Sequence, residues 1–191
     1  RVMEEIRKQL GKDGNVYRQE YEKLTVAIEK FFWDEEKGAY IDSFTSGKRN
    51  VTRHANIFAI LFDIADKQKQ EKILKNVLEN DEIPAITTPY FNFFELDVLC
   101  QMGKLTEVLD KIRSYWGGML DLGAVTFWEE YDPSVPKEEQ YDMYGDHFGK
   151  SLCHAWAASP IYFLAKYFAG LDLVNKDGVT YVLKPQMQYF T

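Results

Sequence analysis

The chain has little of what builds metal centres and cross-links: its 191 residues include two cysteines and three histidines. Cys100 and Cys153 each fall in a stretch that reads as helical. Neither has the spacing of a metal site or a disulfide framework, so both are expected to be buried free thiols. Positive charge is also short. Twenty-three Lys and Arg stand against 30 Asp and Glu, a net charge of −7. An acidic surface repels phosphate backbones, which argues against a nucleic acid partner. No apolar run approaches the ~20 residues of a membrane-spanning helix, so no membrane partner is expected. The chain opens on Arg1 and a charged amphipathic segment, without an initiating Met or an apolar signal region. Processing, or division of a longer protein, is the expected origin of that start.

Apolar residues are plentiful. They make up 46% of the chain and aromatics 15%, the composition of a packed chain rather than a disordered one. Residues 1–10 predict a short amphipathic helix ended by Gly11. A second follows Gly14, with Tyr17, Tyr21, Leu24, Ile28 and Phe31 spaced as a one-sided seam. After a break at residues 33–38, Ala39 to Ile41 predicts a short extended piece. Residues 53–65 and a helix starting near Pro89 are apolar over most of their circumference, whereas residues 68–78 and 105–116 show one apolar face. A last apolar helix is expected over 151–168, with Pro160 either kinking it or restarting it behind Ser159. Residues 178–183 predict a strand stopped by Pro185.

One-sided helices thus alternate with helices apolar nearly all round. Long connections (33–52, 79–88 and 117–149) come before the buried ones. In a layered α/α arrangement, successive helices run antiparallel, so the long loops gather at one end of the inner layer. That is the architecture of an α/α toroid with one functional rim. A helical repeat array shares the antiparallel pairs but has shorter, more uniform loops.

The connection before the last helix mixes aromatics with carboxylates: Gly123-Ala-Val-Thr-Phe-Trp-Glu-Glu-Tyr-Asp-Pro133, then Tyr141-Asp-Met-Tyr-Gly-Asp-His-Phe148. Rings stack on sugar faces, and carboxylates accept hydroxyl hydrogen bonds or act as acid and base. The bland alternative is an acidic solvated loop held by buried aromatics. His154, expected near the start of the last inner helix, would by itself be a core histidine, and Trp156 a core residue. His54 opens the helix at 53–65 on the same expected rim.

Thr126-Phe127-Trp128-Glu129-Glu130-Tyr131-Asp132-Pro133 resembles the Thr-x-Trp-Glu signature of the α-L-rhamnosidase catalytic domain. Ser151-Leu-Cys-His154-Ala-Trp156 is similar to that family's Ser-Leu-x-His segment, and Tyr167-Phe-Ala-Gly-Leu171 to the helix ending after it. Phe32-Trp-Asp-Glu-Glu-Lys-Gly-Ala-Tyr40, Thr88-Pro-Tyr-Phe91 and Tyr115-Trp-Gly-Gly-Met-Leu120 recur there in the same order.

The resemblance implies an all-α fold, part of an (α/α)6 toroid over residues 1–175, with residues 176–191 beginning a C-terminal β-domain. It implies inverting hydrolysis of a terminal α-L-rhamnoside, with a rhamnose-containing oligosaccharide or glycoside as partner and no cofactor or metal. By position, Glu129 resembles the general base, and His154 a substrate-contacting histidine. Trp128 and Tyr90 are expected to contact sugar with it, while Glu130, Asp142 and Asp146 remain as further carboxylates. The family's general acid lies in an Arg-Asp-Glu-type segment that has no counterpart here, and about half the toroid is missing. A chain of this kind is expected to be inactive alone, and to self-associate or to exist only as part of a longer enzyme. Another toroidal glycosidase, trehalase-like or a glucuronyl hydrolase, is the enzyme alternative, and a noncatalytic helical scaffold or carbohydrate-binding remnant the alternative of another class. Glu129 and His154 in one cleft would favour the enzyme, and Glu129 buried against a lysine or arginine the scaffold.

Overall fold

The computed structural model describes residues 1–173 and 180–189, which form two compact units, 1–85 and 86–191. Among the described residues no helix is long and apolar enough to cross a membrane.

The first unit begins with α1 (Val2–Gln9) and α2 (Asn15–Phe32). They are joined through buried Glu4, whose carboxylate meets Lys8 at 2.7 Å and Arg18 at 2.8 Å. The seam expected on α2 is only half covered, and no residue of that helix is fully buried. A cavity of about 310 Å³ lies along it, lined by Tyr21, Leu24, Ile28 and Phe62 among others. The chain then forms a tight hairpin, β1 (Trp33–Asp34) with β2 (Ala39–Tyr40), in antiparallel register Trp33 to Tyr40.

Helix α3 (Arg53–Leu61) supplies the core residues Ile57, Ala59 and Ile60. It ends four residues before the expected Ala65, because the chain turns through Asp63 at φ 52°. Asn56, fully buried, ties the hairpin to α3. Its Oδ1 accepts the Tyr40 N–H at 2.8 Å, and its Nδ2 donates to the carbonyls of Tyr40 and Thr52 at 2.9 and 2.8 Å. The pairing satisfies an edge that would otherwise bury unmet backbone groups. Helix α4 (Lys67–Ile73), capped by Asp66, continues into a π-helical turn, Leu74–Leu78, that buries Val77 and Leu78.

In the second unit, Pro89 occupies the first turn of α5 (Pro89–Gln101), where its missing N–H costs nothing. Seven of its thirteen residues are buried, Asn92 and Glu95 among them, while Phe91, Phe93 and Phe94 are half-buried and Tyr90 is exposed. Helix α6 (Leu105–Asp121) runs five residues past its expected end and buries only Val108, Leu109, Trp116 and Met119, a single face. A Cβ at Gly118 would collide with the Tyr131 ring, so the glycine lets the following loop lie directly on α6.

The last helix differs most from expectation. Residues 151–154 are not helical, because their backbone groups bond across to residues 126–129. A 3-10 turn follows at Ala155–Ala157, and the helix begins only at α7 (Ser159–Phe163), with Pro160 in its first turn. Pro160 therefore restarts the helix rather than kinking it. A π-helical turn, Leu164–Phe168, leads to β3 (Leu171–Leu173), which pairs antiparallel with β4 (Tyr181–Leu183). The strand expected over 178–183 is thus seen at its end, and positions 178 and 179 lie outside the described residues. Cys100 is buried as expected, and burial pushes its thiol up to about 12. Cys153, in the non-helical segment before α7, is exposed instead.

Candidate functional site

The segment around Glu129 lies against residues 151–154, running in the opposite direction. The Glu129 N–H donates to the Ser151 carbonyl at 2.9 Å, and the His154 N–H to the Phe127 carbonyl at 2.8 Å. The Thr126 hydroxyl donates to the Leu152 carbonyl. These bonds bring two sequence-distant motifs side by side. Trp128 anchors the pairing: it is 3% exposed, and its ring lies against Tyr141 with centroids 5.7 Å apart.

The Glu129 carboxylate is buried, at 7% exposure, and both its oxygens are held. Oε2 accepts the Ser151 N–H at 3.0 Å, and Oε1 accepts the Tyr144 hydroxyl at 2.9 Å. His154 Nδ1 stands 3.9 Å from Oε2. Hydrogen bonds to the charged form favour it. The Ser151 N–H, with the Tyr144 hydroxyl behind it, outweighs desolvation and holds this carboxyl below its usual range. The same bond raises the Tyr144 phenol.

Glu130 is used differently. Its Oε2 faces the buried Lys150 ammonium at 3.8 Å, and its Oε1 accepts the Thr87 hydroxyl at 3.2 Å. The two neighbouring carboxylates, inseparable in sequence, therefore have distinct partners: Lys150 sits on Glu130, and polar uncharged donors sit on Glu129.

Asp142 and Asp146 are both exposed. Asp142 Oδ1 lies 2.6 Å from His147 Nδ1, and Asp146 Oδ1 accepts the Phe148 N–H at 3.3 Å. Both belong to a small hairpin closed by Met143 and Asp146, which exchange two backbone hydrogen bonds of 3.0 Å. Its central residues, Tyr144 and Gly145, have φ of 55° and 81°, the positive pair that a type I′ turn demands.

An aromatic row continues from His154. Its ring lies 4.2 Å from that of Trp156, which lies 5.2 Å from Tyr90 on the first turn of α5. Trp156 is 45% exposed and Tyr90 49%, so the core role expected of Trp156 gives way to a half-open ring. The cause is the non-helical backbone of 151–154, which carries Trp156 to the surface ahead of α7. Tyr144 and Trp156 are the residues sequence reasoning missed. The Tyr-Gly pair between two carboxylates was a visible turn signal for the first, and nothing in the sequence signalled the second. His54 is exposed on α3, in the other unit. Among the described residues, no cluster of three or more His, Cys, Asp or Glu could hold a metal ion.

Comparison with known proteins agrees with this geometry at the level of the family. Residues 1–168 match the family described as the bacterial alpha-L-rhamnosidase 6 hairpin glycosidase domain. A rhamnosidase from Klebsiella oxytoca with rhamnose bound is similar over 81% of this chain and 29% of its own, at 32% identity and TM-score 0.71. A GH78 family rhamnosidase of Bacillus sp. GL1 is similar over 91% of this chain and 18% of its own, at 27% identity and TM-score 0.76. No curated protein matches by sequence. The chain spans less than a third of either rhamnosidase. On the match over its first 168 residues, the chain belongs to the bacterial α-L-rhamnosidase six-hairpin glycosidase domain family, an all-α fold.

Proposed function

We propose that this chain carries the general-base side of an inverting α-L-rhamnosidase, with Glu129 deprotonating the water that attacks the anomeric carbon. The observation that carries the proposal is the state of that carboxylate. It is buried, ionised by two uncharged donors, and its neighbour takes the adjacent lysine. A base must be ionised yet keep lone pairs for the proton it accepts. A carboxylate holding one donor on each oxygen satisfies both needs.

Inversion requires a second carboxyl group about 6.5–9.5 Å away to protonate the leaving oxygen. We assign that acid to a part of the protein outside residues 1–191. His154 would contact the sugar hydroxyls. Tyr90, with Trp156 beside it, offers an open ring face, and Trp128 supports the loop from beneath. The family and the rhamnose bound to the Klebsiella oxytoca relative support a terminal α-L-rhamnoside as the substrate class.

The test is a pair of substitutions in the parent protein, assayed on an aryl α-L-rhamnoside. Glu129→Gln keeps the shape but cannot take a proton. Turnover should fall roughly 10²–10⁴-fold while rhamnose binding persists. Glu130→Gln should retain most turnover. The reverse pattern would move the base to Glu130.

A further inference from the structure

We propose that Tyr144 is the positioning residue of Glu129, its hydroxyl fixing the carboxylate in the orientation from which it takes the proton of the attacking water. The inference rests on Glu129 being the general base.

Three observations carry it. First, Tyr144 adopts φ 55°, a left-handed conformation that a bulky side chain rarely takes. Among the described residues only Asp63 shares a positive φ without being glycine, and aspartate tolerates that region where tyrosine does not. Such strain persists where the surroundings enforce it, and it gathers at functional sites. Second, nothing in the core accounts for the placement, since Tyr144 is 82% exposed. What the turn achieves is to bring one hydroxyl to 2.9 Å from a buried carboxylate. Gly145 completes the turn at φ 81°.

Third, the two donors to Glu129 come from separate segments. The Ser151 N–H is part of the backbone ladder and cannot rotate, so it fixes Oε2. Without a partner on Oε1, the carboxylate could still swing about that single bond. The Tyr144 hydroxyl removes this freedom and leaves one lone pair on each oxygen for a proton. Besides Tyr144, the titratable groups that face Glu129 are His154 and Lys150, and Glu130 acts on Tyr144 itself.

The test uses the parent protein and an aryl α-L-rhamnoside. Tyr144→Phe keeps the ring and loses only the hydroxyl. We expect kcat to fall roughly 10–100-fold, with KM changed much less, as for a misplaced catalytic group. The acid limb of the kcat/KM profile should also move to higher pH, because the ionised carboxylate loses a donor. Tyr144→Asn tolerates positive φ better, so its melting temperature should rise while its kcat falls as in the Phe variant. A purely structural tyrosine would show neither the shifted limb nor the gain in stability.

A Phe variant with wild-type kcat and acid limb would overturn the proposal. So would a faster one, since the hydroxyl would then only obstruct the base. Glu129→Gln, measured alongside, separates the two statements. An inactive Gln variant beside an unaltered Phe variant overturns the role of Tyr144 alone. An active Gln variant overturns the base assignment, and the positioning role with it.

Discussion

Residues 33–52 and residues 122–158 are both long connections rich in carboxylates and aromatics, and each buries one carboxylate. In the first, Asp34 accepts Arg49 Nε at 2.7 Å and the N–H groups of Glu36 and Lys37 at 3.1 Å each. The Arg49 guanidinium, with those N–H groups, holds its carboxyl below the usual range. The second buries Glu129 to a similar degree, but its donors are a backbone N–H and a phenol, and no lysine or arginine forms an ion pair with it among the described residues. A carboxylate closed by an arginine and a turn is a structural part, because three of its roughly four acceptor sites and its charge are already taken. One held by weak uncharged donors keeps a capacity to accept. Burial alone does not separate the two, nor does the direction of the pKa shift, which is downward in both. The identity of the donors does.

The comparison breaks most sharply if either connection also supplies the missing acid. Residues 1–191 alone should then hydrolyse an aryl α-L-rhamnoside. We expect no measurable hydrolysis, because inverting chemistry needs two carboxyl groups and only the base is assigned here. Activity of the isolated chain would give Glu130, Asp142 or Asp146 the role of acid.

A stability measurement tests the structural side. Asn56→Ala removes two hydrogen bonds that join the first hairpin to α3, and a third to the Thr52 carbonyl, and leaves the Tyr40 N–H and C=O buried without that partner. Urea denaturation should show a loss of about 2–4 kcal/mol. A loss below about 1 kcal/mol would mean that water replaces the amide.

Asp34→Asn should cost less, about 1–2 kcal/mol, since Arg49 is half exposed and solvent weakens the pair. Its kcat should stay at the wild-type value. The pH dependence has a definite sign. A carboxyl whose folded pKa is depressed adds stability above its unfolded pKa and loses it as pH falls through the folded value. The Asn variant should therefore show a flatter fall in melting temperature at acid pH. An unchanged acid slope would remove Asp34 from the list of groups that set it.

The smallest effect sharpens the contrast. Raising salt from 0.15 to 1 M screens the Asp34–Arg49 pair and should cost about 0.2–1 kcal/mol in the wild type but not in Asp34→Asn. The uncharged donors on Glu129 should leave the acid limb of activity where it was. A limb that moves with salt would show that Lys150 or His154 dominates the carboxylate after all.

Much of the helical layout was legible because it follows from local rules. Pro89 starts α5, and the contrast between α5, buried over half its length, and one-sided α6 is written in where apolar residues recur. What failed was local pattern in competition with tertiary bonds. Residues 151–158 look helical by composition, but their N–H and C=O groups are taken up by residues 126–129 and by Trp116, whose Nε1 donates to the Ala157 carbonyl at 2.8 Å. Of the seam expected on α2, only Tyr21 and Ile28 are half-buried, whereas Tyr17, Leu24 and Phe31 are exposed. The π-helical turns at Leu74–Leu78 and Leu164–Phe168 have no sequence signal of the kind that marks caps and turns.

The sequence by itself determined the family, the all-α class and the nomination of Glu129 and His154, because short motifs and helical periodicity are properties of neighbours along the chain. Only the tertiary structure decided which of two adjacent carboxylates carries the lysine, that Tyr144 reaches Glu129, and that Trp156 is half open beside Tyr90. Those facts depend on which distant backbone groups find one another. A residue's partner far along the chain is set by that pairing, not by the letters on either side of it.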